Sequence, residues 1–243
     1  MEIKLFNLNC WLLPPPFSVK NKKRLNNIIR FIEEYNPHVF TLQEVWLNKY
    51  VREIKKLLPR YEVMSARSFL YNKSGLVTGL RIPKDSTVKK KFKTRRYINF
   101  YELLARKGFQ NIRLKNGLNI INTHLYGPLR RNRLDITFDQ FGVLKKWADQ
   151  LNETVVLAGD INMESHELNQ LNGGFFHESF DDKHTLVGLN PYTEMRLNRF
   201  GKTNMKLDYV LAHTKKDKID VSTDVLETPY LSDHLAVTAT ITF

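Results

Sequence analysis

The stretch TVVLAGDIN, residues 154–162, decides the predicted fold, because a short apolar run ends abruptly in Asp160 and Asn162. A run of this length and composition is typical of a buried strand. Burying a carboxylate without a partner costs free energy, so Asp160 must face solvent, a positive charge or a metal ion. A single Asp at a strand end is more often a turn residue. The pattern therefore gains meaning only if other strands end in the same way.

Polar residues suited to chemistry lie at or beside an apolar strand at five other places along the chain. They are Asn9, the pair Gln43 and Glu44, the pair Asn122 and His124, Asp208, and the SDH sequence of residues 232–234. If two sheets pack face to face, all six places can converge on one rim.

Helical periods alternate with these strands. Apolar residues recur at helical spacing over residues 25–32, 51–58 and 134–148, and a short helix is predicted near 165–171. A polar stretch follows up to about residue 204, and three strands end the chain. Periodicity supports a mixed α/β domain over residues 1–243. Two mixed sheets with helices outside them suggest, more specifically, a four-layer α/β/β/α sandwich.

Composition limits the class of protein. With 42% hydrophobic residues among 243, the chain can bury a core, and no window approaches the roughly 18 apolar residues of a spanning helix. Cys10 is the only cysteine, and Met1 leads directly into an alternating pattern rather than a leader. We therefore expect a monomer in a reducing, cytoplasmic setting, compatible with peripheral contact at membranes. Earlier removal of a leader stays open.

The charge balance is strongly basic, with 38 basic and 25 acidic residues and a formal net charge of +13. This predicts long-range attraction to polyanions, and it does not choose between nucleic acid and an acidic membrane face. Basic runs occur at residues 20–24, 89–96, 129–133 and 215–218. Each run is equally well interpreted as a solvated loop or helix face.

The combination of carboxylates, amides and two histidines favours a hard divalent cation. Mg²⁺, with Mn²⁺ as the alternative, prefers carboxylate and water ligands, and a single cysteine argues against thiolate chemistry. A cation that keeps several waters suits phosphoryl chemistry, because it neutralises charge on phosphate oxygens and helps to supply hydroxide. The residue types thus predict a magnesium-dependent site for phosphoryl chemistry.

Seven short motifs occur in one order between residues 8 and 234: LNCW, LQEVW, GFQNIRL, NTHL, GDINM, KLDYVL and SDH. In this order they resemble the endonuclease/exonuclease/phosphatase superfamily, which includes deoxyribonuclease I. LNCWLLP, LQEVW and GDINM look most like the neutral sphingomyelinases, magnesium-dependent phospholipid phosphodiesterases. The resemblance covers essentially the whole chain and implies the four-layer sandwich.

The resemblance also implies a metal site and a general base. Glu44 would be the main metal carboxylate, with Asn9 beside it and Asp233 completing the site. His234 would be the general base, oriented and kept basic by Asp208.

Three further matched positions would contact the reacting groups. Asp160 would position the attacking water, Asn162 would hold a phosphate oxygen, and His124 would stabilise the phosphorane or the leaving oxygen. Without the NTHL motif around it, His124 would be interpreted as a core histidine. The implied reaction is in-line attack of water on a phosphodiester without a covalent intermediate.

Two features separate the branches of the superfamily. His124 stands where the exonuclease III type has a Tyr-containing segment, and residues 63–84 contain no acidic residue like the one that pairs with this His in deoxyribonuclease I. Sphingomyelinases lack that acid too, so a sphingomyelinase-like phospholipid phosphodiesterase is the preferred hypothesis.

Two alternatives stay open. One is a Mg-dependent DNA or RNA nuclease, because a basic chain can bind phosphates while Tyr97, Phe100 and Tyr101 stack on bases. The other is a catalytically silent module that binds nucleic acid or membrane. It is disfavoured, because no member of the proposed catalytic set is missing.

The stretch LNCWLLPPPF, residues 8–17, has two interpretations. Trp11, Leu12, Leu13 and Phe17, stiffened by three prolines, could form an apolar rim that enters a lipid interface beside the basic runs. Equally, Trp11 and the leucines could pack beneath the neighbouring helix, since such residues are usually buried.

Overall fold

The computed structural model describes residues 1–69, 71–93, 105–127, 134–178, 183–197, 204–215 and 219–243. Several sequence predictions lie outside the described residues: the stacking residues Tyr97, Phe100 and Tyr101, the basic run 129–133, and parts of the runs 89–96 and 215–218.

The described chain alternates strands and helices from one end to the other. In chain order the elements are β1 (Glu2–Leu12), α1 (Asn21–Tyr35), β2 (Val39–Val45), α2 (Asn48–Leu57), β3 (Glu62–Arg67), β4 (Asn72–Leu80), β5 (Lys84–Lys91), β6 (Gly108–Leu114), β7 (Asn119–His124), α3 (Leu134–Leu151), β8 (Val155–Asp160), α4 (Ser165–Asn172), β9 (His177–Glu178), β10 (Leu186–Val187), α5 (Pro191–Leu197), β11 (Asn204–Met205), β12 (Asp208–His213), β13 (Asp220–Leu226) and β14 (Ala236–Thr242). No helix among the described residues has the length and hydropathy of a membrane span.

Two six-stranded mixed sheets form the centre of the fold. One sheet has the order β13-β14-β1-β2-β4-β3 and the other β5-β6-β7-β8-β12-β9, while β10 and β11 form a separate pair. In each large sheet the two central strands are parallel, β1 with β2 and β7 with β8, and the other neighbours are antiparallel. The polar ends of both parallel pairs can therefore meet at one edge of the molecule.

Three apolar cores separate four layers, which confirms the predicted sandwich. Leu5 on one sheet and Ile120 and Val156 on the other belong to the core between the sheets. Ile28 and Ile32 of α1 pack on the outer face of the first sheet. On the second sheet the corresponding helix is α3, which buries a stripe that includes Phe141, Leu144 and Ala148. Each strand alternates between two cores because successive side chains point to opposite faces.

The sequence pattern missed several elements. The basic run that begins at Lys89 is not a loop or helix face at its start, because Lys89, Lys90 and Lys91 belong to β5, an edge strand. Charged edge strands discourage pairing with other chains, and they lack the apolar alternation that marks a strand in sequence. The stretch before residue 204, predicted only as polar, contains β9, β10 and α5.

The structure also separates the two interpretations of residues 8–17. Trp11 and Leu12 are buried, and β1 extends through Leu12, which pairs with Val45 after an irregularity in register between Asn9 and Leu12. These two residues are therefore part of the packed strand and not of an apolar rim. Phe17, in contrast, is half exposed.

Candidate active site

Three of the predicted site residues lie side by side on adjacent strands. In the strand registers His124 of β7 faces Asp160 of β8, and Asp160 faces Asp208 of β12. The His124 Nε2 atom lies 3.5 Å from Asp160 Oδ2. All three side chains are buried. The apolar interior of each strand thus fixes its polar terminal residue at the same edge of the sheet.

His234 joins this row from the loop before β14. Its Nδ1 lies 2.7 Å from Asp208 Oδ2, so Nδ1–H donates to the carboxylate. Nε2 is then the ring nitrogen that is not engaged with Asp208. One ligand atom from each of Asp160, Asp208 and His234 lies within 4.8 Å of the other two.

Burial and mutual repulsion shift the pKa values of this cluster. Burial, followed by the charge of Asp208, raises the pKa of Asp160 to about 7. Burial alone would lower the pKa of His234, but the carboxylates of Asp208, Asp233 and Asp160 outweigh it and raise the pKa to about 10. Such displaced pKa values are common where buried groups carry out acid-base chemistry.

Asn9 connects the first sheet to this cluster. Its Nδ2 donates to Asp160 Oδ2 at 2.8 Å, and its Oδ1 accepts the Trp11 backbone N–H at 3.1 Å. In the parallel register Asn9 faces Gln43, the neighbour of Glu44. The two sheets therefore bring Asn9, Glu44 and Asp160 to one rim, as the sequence predicts.

Asn162 follows β8 and lies beside the same carboxylate. Its backbone N–H donates to Asp160 Oδ1 at 3.0 Å, and its Nδ2 donates to Leu125 O at 3.1 Å. A Cβ atom placed on Gly127 would lie 2.9 Å from Asn162 Oδ1, so any larger residue here would require the Asn162 side chain to shift.

Glu44 and Asp233 form a second acidic group around Arg24 of α1. Burial lowers the pKa of the Arg24 guanidinium, and the charges of Asp233 and Glu44 oppose that shift. The Asp233 carboxylate accepts from Ser232 Oγ at 3.0 Å, and its backbone oxygen accepts from Thr193 Oγ1 at 2.5 Å. The predicted metal residues therefore surround a buried cation that the sequence pattern did not reveal.

Three of the eight non-glycine residues with a left-handed φ among the described residues lie at this rim. Trp11, Glu44 and Asn162 all have left-handed φ values, of 46°, 56° and 55°. Non-glycine residues adopt this region at a cost, and they do so mainly where surrounding contacts hold them in place. Three such residues next to Asn9 and Asp160 indicate that the rim is a constrained site.

Lys107 is a second buried cation that sequence analysis missed. Its Nζ lies 3.1 Å from His124 Nε2 and donates to Leu125 O at 2.8 Å. An ammonium group can only donate, so Nε2 of His124 is the acceptor where the two side chains form a hydrogen bond. The sequence does place a lysine directly before Gly108, but a lone Lys at a strand start is usually exposed, so it gave no reason to predict a buried cation.

Two of the polar residues at the strand ends are not in the site. Gln43 Nε2 donates to Asn122 Oδ1 at 2.9 Å across the two sheets, and Asn122 Nδ2 donates to Thr78 Oγ1 at 3.0 Å. These buried amides bridge the sheets beneath the rim. Asn122 lies on the same face of β7 as His124 but two residues before the strand end, and Gln43 precedes Glu44 on β2, so the two amides lie deeper between the sheets than the rim residues.

The donor set fits a hard divalent cation. Three buried carboxylates, those of Asp160, Asp208 and Asp233, raise the pKa of His234, while burial, followed by the charge of Asp208, raises the pKa of Asp160. Within the described part of the chain, Asp208 Oδ1 has no hydrogen-bond partner. Carboxylate and amide oxygens in excess of the local positive charge are suitable ligands for Mg²⁺ or Mn²⁺.

The fold is shared with several solved structures. Sphingomyelinase C from Streptomyces griseocarneus superimposes with a TM-score of 0.80 at 17% identity, covering 99% of both chains. Beta toxin from Staphylococcus aureus, in a mutant with bound magnesium ions, has a TM-score of 0.82 at 16% identity and covers 98% of this chain and 99% of its own. TDP2 from Caenorhabditis elegans gives 0.76 at 16% identity, covering 99% of this chain and 74% of its own.

A family model matches almost the whole chain. The Endonuclease/Exonuclease/phosphatase family model matches residues 6–234, so the chain belongs to this family. No curated protein sequence matches it. The resemblance inferred from seven short motifs is thereby confirmed at the level of the family, and sphingomyelinases are among its structural neighbours.

Proposed function

We propose that this protein is a Mg²⁺-dependent phosphodiesterase that hydrolyses a phospholipid diester by in-line attack of water. The observation that carries the proposal is the buried His234–Asp208 pair, at 2.7 Å, beside Asp160 at the rim between the two sheets. A histidine oriented by a carboxylate, next to a second carboxylate, is an arrangement suited to activating water.

The proposed roles follow from the positions of the side chains. His234 accepts the proton of the attacking water through Nε2, since Nδ1 donates to Asp208. Asp160 orients that water, and Asn162 holds a phosphate oxygen. His124, with the Lys107 ammonium at 3.1 Å, stabilises negative charge on the phosphorane or the leaving oxygen.

Glu44, Asn9 and Asp233 would hold the cation, with Mn²⁺ as the alternative to Mg²⁺. The bound ion supplies neutralisation of phosphate charge and a lower pKa for water. Acid-base and metal functions are coupled in this site, because the carboxylate charge that keeps His234 protonated is the charge that attracts a cation. A cation held by these residues would offset that charge, so the pKa of His234 would fall towards its ordinary value and Nε2 could act as a base.

Phospholipid is preferred over other diesters for two reasons. The motifs around Asn9, Glu44 and Asp160 are most similar to those of sphingomyelinases, and two of the three structural neighbours described above are sphingomyelinase C and a beta toxin with magnesium. His124 in place of a Tyr-containing segment supports the same branch.

A nuclease is the second candidate function, and the charge of the protein is the observation that favours it. The net charge of +13 and the exposed Lys90 and Lys91 of β5 suit contacts with a phosphate backbone. Binding of this kind is non-specific, so it does not by itself imply cleavage.

The deciding experiment offers several diesters to the same preparation. The protein is incubated with Mg²⁺ or with EDTA and, in separate reactions, with sphingomyelin vesicles, lysophosphatidylcholine, single-stranded DNA and double-stranded DNA. We expect release of phosphocholine that depends on Mg²⁺, and no cut DNA. Cut DNA without phosphocholine release would replace the lipid proposal with the nuclease, and no hydrolysis of any diester would contradict both.

A further inference from the structure

Most of the exposed large hydrophobic side chains lie close to the candidate active site. Eight such residues occur among the described part of the chain, and five of them belong to three segments at the rim. These are Phe17 and Val19 after β1, Phe69 between β3 and β4, and Leu189 and Met195 in and before α5. Phe69 and Leu189 are the most exposed, at 96% and 90%.

The first two segments flank the start of α2. Asn21 Nδ2 donates to Leu13 O at 2.8 Å and lies 3.3 Å from Tyr50 OH, so the loop that carries Phe17 contacts α2. Asn48 Nδ2 donates to Ser68 O at 2.9 Å, which fixes the loop that carries Phe69 to the same helix end. The start of α2 lies only a few residues after Glu44 in the sequence.

The third segment covers Asp233. Asn190, which directly follows the exposed Leu189, donates from Nδ2 to Ser232 O at 2.8 Å. The guanidinium of Arg24 lies 5.6 Å from the centre of the Tyr192 ring, and the same guanidinium donates to Val19 O at 2.9 Å. Arg24 thus joins the segment of Leu189 and Met195 to the segment of Phe17 and Val19.

Basic side chains accompany these hydrophobic residues. Lys20, Lys22 and Lys23 follow Val19, and Lys49 lies at the start of α2; all four are exposed, whereas α5 contributes the exposed Glu194. Exposed apolar residues bordered by lysines are typical of surfaces that enter the boundary of an anionic bilayer. Nucleic acid is a poorer match, because aliphatic residues such as Val19, Leu189 and Met195 cannot stack on bases as aromatic rings do.

We infer that these three segments form a docking rim for an anionic lipid surface, and that the rim presents the candidate active site to diesters held in that surface. The inference rests on the proposed function for the choice of substrate, but lipid binding itself requires no hydrolysis. This surface differs from the apolar rim predicted from the sequence. Trp11 and Leu12 are buried, whereas Phe69, Leu189 and Met195 are exposed.

The test measures vesicle binding in EDTA, where no turnover occurs. Sucrose-loaded vesicles of phosphatidylcholine, with or without 30 mol% phosphatidylserine (about the content of an acidic membrane face), are sedimented with the parent protein and two double variants. Phe17→Ser/Phe69→Ser removes two aromatic residues from the rim. Leu57→Ser/Val143→Ser is the matched control, because these residues are exposed at 41% and 43% but lie outside the three segments. A third variant, Lys22→Glu/Lys23→Glu, tests the charge.

We expect the parent and the control to bind vesicles that contain phosphatidylserine, and the Phe17→Ser/Phe69→Ser variant to bind at least about tenfold more weakly. The Lys22→Glu/Lys23→Glu variant should lose about as much affinity, and added salt should weaken the parent further. The thermal midpoint of each variant checks folding. Equal losses for the rim and control variants, or no binding by a folded parent, would overturn the inference.

Hydrolysis of bis(p-nitrophenyl) phosphate by the parent protein, measured in parallel with Mg²⁺, separates the two proposals. Hydrolysis without vesicle binding would contradict the docking rim and leave the phosphodiesterase intact. Vesicle binding without hydrolysis of any diester would contradict the phosphodiesterase and retain the rim.

Discussion

At the scale of single residues, the hydrogen bond between His234 and Asp208 is the contact on which the proposed activity would most depend. We expect His234→Asn and Asp208→Asn each to lower the rate of diester hydrolysis by about 10²–10⁴-fold, the range of general acid-base contributions. The first removes the base; the second removes the charge that keeps Nδ1 protonated. Initial rates at saturating Mg²⁺ measure both effects.

A matched histidine change controls for that prediction. His166 is exposed on α4, so His166→Asn should leave the rate within about twofold of the parent, because it contacts nothing in the site. If His234→Asn or Asp208→Asn retained more than a tenth of the parental rate, the assignment of His234 as the base would be contradicted.

The raised pKa values also predict how the metal-free protein responds to pH. The Asp160 pKa rises from 3.8 to about 7, so its contribution to stability is complete below pH 3.8 and is lost as pH rises through 7. The His234 pKa rises from 6.5 to about 10, so its contribution is complete below pH 6.5 and is lost through pH 10. Both shifts have the same sign.

We therefore expect the free energy of unfolding in EDTA to fall steadily between pH 5 and pH 10, as these two pKa values require. Urea unfolding at several pH values measures it. His234→Gln should flatten the alkaline half of the curve and leave the fall through pH 7 in place. A flat curve for the parent would show that the two groups titrate normally.

The sequence revealed some of the site residues and concealed others for a physical reason. Asp160 and Asp208 stand out because a carboxylate at the end of an apolar strand requires a partner. Arg24 and Lys107 do not stand out, because lysines and arginines on helices and at strand starts are nearly always solvated. Only the structure shows that both are buried next to Asp233 and His124.

At the scale of secondary-structure elements, Arg24 connects α1 to the irregular end of β1. Its guanidinium donates to the backbone oxygens of Cys10 and Trp11 and to Val19 O. Lysine cannot satisfy these acceptors together, because its single ammonium lacks the planar fork. We expect Arg24→Lys to lower the free energy of unfolding by about 2–4 kcal/mol and the hydrolysis rate by roughly tenfold.

The control for this change lies on the same helix. Arg30 is largely exposed, at 71%, and pairs with Glu34 in a surface contact of 3.7 Å. Arg30→Lys should alter the unfolding free energy by less than about 0.5 kcal/mol. Urea unfolding of both variants compares them directly, and equal stability of Arg24→Lys and the parent would contradict the role of the guanidinium.

The amides between the two sheets make a second prediction at this scale. Asn122 is buried, and it donates to Val77 O and Thr78 Oγ1 and accepts from Gln43. Asn122→Leu removes these three hydrogen bonds between buried groups, so we expect a loss of about 2–4 kcal/mol in unfolding free energy. The exposed Asn26→Ala is the control, with a change near zero. A stable Asn122→Leu protein would show that water or repacking satisfies the amides.

Elements that bury an apolar face were predictable, and elements that do not were missed. α1 and β8 carry apolar residues at helical and strand spacing because each packs on a core. β5 is an edge strand that ends in three consecutive lysines, and its pairing with β6 is not indicated by its own sequence. β10 and β11 have only two residues each, too few to show a period.

At the scale of the whole molecule, the two large sheets have the same pattern of strand directions. Each has a central parallel pair, joined by α1 in one sheet and α3 in the other, with two antiparallel strands on either side. Face-to-face packing of the sheets brings the carboxyl ends of both pairs to one rim. The convergence of Asn9 and Glu44 with His124 and Asp160 was predictable from this principle. The sequence could not show that Glu44 lies at the rim while its neighbour Gln43 lies between the sheets.

A site assembled from both sheets should couple cation binding to the stability of the whole fold. Once the Mg²⁺ concentration exceeds the dissociation constant, each tenfold increase adds about 1.4 kcal/mol to the free energy of unfolding. For a chain of this length that corresponds to roughly 3–6 °C in the thermal midpoint.

We expect this increase in scanning calorimetry between 0.1 and 10 mM Mg²⁺ (roughly the range expected for sites of one or two carboxylates), with ionic strength held constant. Glu44→Gln should abolish it, and the exposed Glu33→Gln should retain it. If Glu44→Gln responds to Mg²⁺ as the parent does, the cation is held elsewhere and Glu44 has no part in binding it.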